Sequence, residues 1–199
     1  PGRPTCHVAV DEATAILAGD ALLTRAFEAV ASMQKTLRPA RCPEVVRLLD
    51  AAAGPLGMVQ GQMLDMQSEG RHLALEELRC LHALKTGAMI EAALVSGAIV
   101  AGAACARVDA LKAYGRALGL AFQVVDDILN WEGDPAVMGK AAGTDRARRK
   151  NSYPALLGLE KSREFAHNLV HTAIQAIDGF GGEAEALRAI ARYVVARKK

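Results

Sequence analysis

Most of the short motifs that announce an enzyme's chemistry are missing from this sequence. It contains no GxSxG, HExxH, P-loop or GxGxxG. That removes the nucleophile elbow, the zincin helix, the Walker phosphate cradle and the dinucleotide fingerprint. The four cysteines, Cys6, Cys42, Cys80 and Cys105, are scattered and form no CxxC pair. Zinc spacing is therefore absent and a disulfide framework is not expected; free thiols in a reducing cytoplasm fit the pattern. The five histidines, His7, His72, His82, His167 and His171, make no metal set. His167 and His171 share an i, i+4 face but lack the HExxH glutamate. A net charge of +2 gives no general nucleic-acid surface, and the basic run Arg146, Arg148, Arg149 and Lys150 reads by itself as a solvated face. Residues 1–12 lack the apolar stretch of a signal peptide. The longest uncharged run, Ala92–Ala106, falls short of a membrane span. It reads instead as the central buried helix of a bundle in a soluble protein.

With 199 residues, 51% hydrophobic and 23% charged, the chain can bury one sizeable core. One domain over residues 1–199 is expected, without repeats or linkers. No segment sustains period-2 alternation, and most show helical character. Helices are expected over Asp11–Arg25, with Ile16, Leu17, Leu22 and Leu23 in the core, and over Phe27–Lys35, stopping near Pro39. Pro43 opens the next helix and Gly54-Pro55 closes it. Met58–Gln67, Leu75–Leu84, Ala88–Ala106 and Asp109–Asn130 follow, then Pro154–Leu159, Arg163–Phe180 and Glu183–Arg197. Trp131–Ser152 is a long polar connection, a candidate functional loop because uncommitted loops of that length are rare. The fold class is all-α, a helical bundle.

Within Asp109–Asn130, two adjacent carboxylates, Asp126 and Asp127, interrupt an apolar segment. Asp126 and Asn130 lie i, i+4 on one face, with Gln123 three residues earlier on the same face. Unpaired carboxylates in an apolar interior cost several kcal/mol each, so a cation should neutralise them. Mg²⁺ carrying a phosphate would do so, since it binds one or two carboxylates together with waters and substrate phosphates. Asp65 follows Gln62 by three in an apolar stretch, Lys85-Thr86 divides two helices, and Gly139-Lys140 and Lys150 bring basic groups. Singly, each has an ordinary explanation: Asp65 bonding a neighbouring helix, Lys85 as a cation at a helix C-terminus, Asp126-Asp127 as a wet helix end. Together, carboxylates and lysines describe a metal-bridged diphosphate site.

These fragments, in their order, resemble a known family. Gly2-Arg3-Pro4-Thr5-Cys6-His7, Ala15–Leu22, Gly61-Gln62 with Asp65, Lys85-Thr86-Gly87, Phe122-Gln123 with Asp126-Asp127, Gly139-Lys140 and Lys150-Asn151-Ser152-Tyr153-Pro154 carry the likeness over the whole chain. The family is the trans-isoprenyl diphosphate synthases of the farnesyl diphosphate synthase type. The resemblance implies an isoprenoid synthase-type bundle, cytoplasmic and homodimeric. The implied reaction condenses an allylic diphosphate with isopentenyl diphosphate, with three Mg²⁺ ions in the complete site. It implies metal coordination by Asp126, assisted by Asp127 and Asn130, and diphosphate binding by Lys85, Lys140 and Lys150. Thr86 and Gln123 would place oxygen dipoles near the allylic cation, and Arg197 would help close the isopentenyl site.

Two departures from the family pattern stand out. Asn130 replaces a usual third aspartate of the acidic turn. The first aspartate-rich motif, its arginine pair and the helices before it have no counterpart here, and Pro1 stands where the second arginine is expected. The chain is thus expected to match the C-terminal portion of the family domain and to be inactive alone. The alternative is the non-catalytic small subunit of a heteromeric prenyl synthase. Neither nucleic-acid binding nor membrane insertion is expected.

Overall fold

Proline, glycine and capping residues cut the sequence into helices, and the computed structural model describes residues 3–33, 41–133 and 151–197. Among the described residues every regular element is helical. The chain divides into two compact units, Pro1–Leu48 and Leu49–Lys199.

In the first unit, α1 (Cys6–Ala9) precedes α2 (Glu12–Ser32), and α3 (Arg41–Ala53) begins. Asp11 caps α2: its carboxylate accepts from the Thr14 backbone N–H at 2.8 Å and the Thr14 hydroxyl at 2.7 Å. Those bonds hold the Asp11 carboxyl below its ordinary range. The two helices expected over Asp11–Arg25 and Phe27–Lys35 are one. Ala26 lies between them, and alanine is the strongest helix former, so nothing there stops propagation. The expected core residues Ile16, Leu17, Leu22 and Leu23 are exposed, and no residue of α2 is buried. Their periodicity marks an apolar stripe without supplying a partner, and four-residue α1 is too short to cover it. The expected stop near Pro39 lies outside the described residues.

The second unit contains α4 (Met58–Gln67), α5 (Leu75–His82), a π-helical segment (Ala83–Gly87), α6 (Ala88–Ala101) and α7 (Cys105–Glu132). After residue 150 come α8 (Tyr153–Leu157), α9 (Leu159–Ala176), a 3₁₀ segment (Asp178–Ala184) and α10 (Glu185–Ala196). The expected helix Ala88–Ala106 ends five residues early. Gly102 takes the left-handed conformation (φ 72°) as its C-cap, which glycine adopts without a Cβ clash. α7 then starts at Cys105, four residues before the expected Asp109. The centre of the bundle is α7, not the Ala-rich helix. α6 buries Ala92, Val95, Ala98 and Ile99, whereas α7 buries residues along most of its length, from Leu111 to Ile128. Tyr114 of α7, wholly buried, donates its hydroxyl to the Leu187 carbonyl at 2.7 Å, tying α7 to α10. The run Leu75–Ala101, taken through the π segment, is long and apolar enough to cross a membrane by length and composition. It also carries Lys85 and Glu91, both in ion pairs within the unit.

Tyr153 packs between His82 and Phe165, with ring centroids 5.5 and 5.7 Å away. Its hydroxyl is buried and has no hydrogen-bond partner among the described residues. Burial, with the charge of Asp127 added, pushes the phenol well up from its ordinary range. Burial raises Tyr114 in the same direction, to about 12. Below the ordinary tyrosine value of about 10 both folded and unfolded chains hold these protons. Above it the unfolded chain releases them first, so stability falls as pH rises. Tyr153→Phe keeps the ring and removes an unsatisfied donor. In urea unfolding at pH 8 it should be unchanged or more stable by about 1 kcal/mol, with a smaller loss on going to pH 10.5. Clear destabilisation at pH 8 would show that the hydroxyl has a partner.

Candidate active site

Two glycines bring three elements unusually close. A Cβ on Gly61 of α4 would lie 2.2 Å from the Lys85 backbone nitrogen and 2.5 Å from its Cα. A Cβ on Gly119 of α7 would lie 2.8 Å from the Gly87 Cα. Only hydrogen fits at either place, so α4 and α7 press on the π segment along its backbone. A π turn makes i→i+5 bonds and commonly marks a functional site within an α-helix. Here Lys85 turns toward α4 and Thr86 toward α7. Lys85 Nζ meets Asp65 Oδ2 at 2.6 Å, and the Thr86 hydroxyl donates to Gln123 Oε1 at 3.1 Å. The expected boundary between two helices at Lys85-Thr86 is therefore a bulge in one continuous helix.

The two carboxylates of the acidic turn have different surroundings. Asp126 is 44% exposed; its Oδ2 accepts from the Asn130 amide at 3.2 Å, and its Oδ1 lies 3.9 Å from Nη2 of Arg197. Asp127 is only 8% exposed, and its Oδ2 accepts the backbone N–H of Tyr153 at 3.1 Å, at the start of α8. Asn151, two residues earlier, clamps the same loop. Its Oδ1 accepts from Leu73 N–H at 2.9 Å, and its Nδ2 donates to the carbonyls of Arg71 at 2.9 Å and Ser68 at 3.4 Å. Arg197, just past α10, donates to the Phe122 carbonyl at 3.0 Å and stacks 4.1 Å over that ring.

The structure thus brings together Lys85, Thr86, Gln123, Asp126, Asp127, Asn130 and Arg197 within the second unit, with Asp65 as the partner of Lys85. Lys140 and Lys150 lie outside the described residues. The residues that sequence reasoning missed are Gly119, Asn151 and Tyr153. A glycine inside a long helical pattern was a signal for Gly119. Asn151 and Tyr153 sit in the Lys150–Pro154 fragment, but their partners are 26 to 83 residues away. A cleft of about 480 Å³ lined by Arg79, Cys80, Leu84 and Glu91 shares the π segment but includes none of the acidic turn.

Among the described residues no group of three or more His, Cys, Asp or Glu could form a metal cage. The donors that are present still suit Mg²⁺, a hard ion that keeps several waters and takes one or two carboxylates plus substrate phosphates. Asp126 offers an accessible oxygen, whereas the buried carboxylate of Asp127 is engaged by a backbone donor.

The polyprenyl synthetase family model matches residues 2–191. The chain belongs to the polyprenyl synthetase family. It is 43% identical over 210 residues to the farnesyl diphosphate synthase of Escherichia coli K12, an alignment covering all of this chain and 68% of that protein. The structure of a farnesyl/geranylfarnesyl diphosphate synthase from Zymomonas mobilis superposes with a TM-score of 0.83 at 40% identity, covering 97% of this chain and 65% of that one. A Helicobacter pylori geranyltransferase solved with magnesium and isoprenyl diphosphate gives 0.81 at 35% identity, covering 98% and 63%. The chain thus spans about two thirds of the length of these relatives.

The close approach of Gly61 to the π segment fixes what an added methyl group should cost. Gly61→Ala forces the π segment off α4 and should cost on the order of 2–3 kcal/mol in urea unfolding. Gly97→Ala, where a Cβ meets nothing within 4 Å, should gain up to about 1 kcal/mol. Equal effects of the two substitutions would mean that the close approach does not constrain the fold.

Proposed function

We propose that this polyprenyl synthetase chain serves a prenyltransferase that condenses an allylic diphosphate, dimethylallyl or geranyl, with isopentenyl diphosphate in isoprenoid biosynthesis. The observation that carries the reading is that one π turn pairs Lys85 with Asp65 of α4 and Thr86 with Gln123, on the α7 face that also bears Asp126. Residues 1–199 act in this reading as one polyprenyl synthetase domain, supported by a family match that runs across both compact units.

Each residue then has a definite task. Asp126 ligates Mg²⁺ through its exposed carboxylate, steadied by the Asn130 amide on its other oxygen. Asp127 holds the start of α8 against the acidic turn. Lys85, paired with Asp65, meets the diphosphate as a point charge, joined by Lys140 and Lys150. Thr86 donates its hydroxyl hydrogen bond to Gln123, so its oxygen lone pairs remain available to face positive charge. Arrayed dipoles of that kind stabilise a developing cation without a covalent nucleophile. Bound Mg²⁺ would neutralise the diphosphate and favour its departure as an anion. The allylic C–O bond breaks, the isopentenyl double bond forms the new C–C bond, and the released diphosphate takes the surplus proton.

The protein is further proposed to be cytoplasmic, homodimeric and not membrane-inserted. Against insertion, the one sufficiently apolar helix among the described residues carries Lys85, which is paired with Asp65.

Mg²⁺ with inorganic diphosphate should raise the melting temperature by on the order of 5 °C near saturation, and Asp126→Ala should abolish the rise. No rise in the parent, with Asp126→Ala indistinguishable from it, would favour a non-catalytic subunit. Because the described residues provide only one acidic turn, binding without turnover is expected of these 199 residues alone. Condensation of geranyl and isopentenyl diphosphates by them would contradict that.

A further inference from the structure

Arg197 immediately follows α10, yet its side chain is only 11% exposed, an uncommon position for a guanidinium. Three contacts hold it: the Phe122 carbonyl, the Phe122 ring and, at 3.9 Å, Asp126 Oδ1. The arrangement is not a well-made ion pair. The charge separation is at the outer limit of pairing, and Nε is buried with no acceptor among the described residues. A buried donor left unsatisfied is unfavourable, so this side chain is held by stacking and charge in spite of poor hydrogen bonding.

We propose that Arg197 is the resident counter-cation of Asp126, a latch that joins the end of α10 to the acidic turn and is displaced when a divalent metal binds. The proposal rests on the reading of Asp126 as a metal ligand. Asp126 has one oxygen on the Asn130 amide and the other facing Arg197. A hard divalent ion needs a close oxygen shell on that second oxygen. A guanidinium about 4 Å away, shielded from water, then turns from an attractive neighbour of the carboxylate into a repulsive neighbour of the metal. The coupling is reciprocal: whatever affinity Arg197 takes from the metal, the metal takes from the hold of Arg197 on α7. The latch accordingly keeps the acidic turn charge-balanced before ligand arrives and frees the end of α10 afterwards.

Mn²⁺ binding in the absence of diphosphate tests this, read from the free-Mn²⁺ EPR signal and from Trp131 fluorescence, five residues beyond Asp126 on α7. Arg197→Gln should bind about fivefold more tightly than the parent. Arg197→Lys, which keeps the charge, should stay close to the parent. The gain should vanish when Arg197→Gln is combined with Asp126→Asn. Phe122→Leu, which removes the ring beneath the guanidinium, should also tighten binding and serves if Arg197→Gln does not fold. Unchanged or weaker Mn²⁺ binding by the uncharged variant overturns the latch, even if Mg²⁺–diphosphate still binds the parent through Asp126. If the parent shows no Asp126-dependent binding of metal or metal–diphosphate, the metal reading fails and the latch fails with it.

Discussion

The site depends on one contact: the backbone of the π segment pressed between Gly61 and Gly119. A Cβ at either glycine would overlap main-chain atoms, which cannot rotate away as a side chain can. The contact does two things together. It lets α4 and α7 approach the same turn from different sides, and it sets the directions of consecutive residues. Lys85 reaches Asp65 on α4 while Thr86 reaches Gln123 on α7. An ordinary α-turn would set these two side chains in a different register relative to α5, because a π turn carries one residue more. A helix that crosses the bundle without a break thus presents a charge to one neighbour and a hydroxyl to another.

The same division of labour recurs at the acidic turn. Asp126 and Asp127 are adjacent, so on a helix they cannot share a face. One is accessible and balanced by Asn130 and Arg197, whereas the other is buried and anchors the start of α8. Asn151 extends that anchor to the loop after α4. Hydrogen bonds therefore run from the segment following the Asp65 helix, through residues 151–153, to the turn that carries Asp126. Positions on α4 and α7 are linked twice, once by glycine contact and once by this chain of polar bonds.

Helix number and type were largely legible in the sequence, because Gly54-Pro55 and Gly70 are local signals that act on their own segments, although the expected helix Ala88–Ala106 runs through the same kind of signal at Gly102. Met58–Gln67 comes out with its expected bounds for this reason. What periodicity could not supply was a partner. The apolar stripe of α2 reads as a core face, but a stripe alone does not say what covers it. The Ala-rich run reads as central, although centrality depends on packing from several sides, which α7 receives. The site was legible as a set of residue types, since carboxylates, lysines and amides in apolar helices are costly and need a reason. Its geometry was not. A π turn looks in sequence like a polar interruption, and the roles of Gly119, Asn151 and Tyr153 depend on contacts far along the chain.

The central claim is that the π turn, fixed by two glycines, aims Lys85 and Thr86 at their partners. Deleting Ala83 removes one residue from that turn and allows an unbroken α-helix over the same span. Calorimetric titration of Mg²⁺–diphosphate into this deletion variant, with helicity and melting checked by circular dichroism, is the most direct test. The expected result is a helical, cooperatively melting protein whose diphosphate binding is weakened at least tenfold, a loss of about 1.4 kcal/mol or more. Binding as tight as that of the parent would show that the π register is not what positions the site.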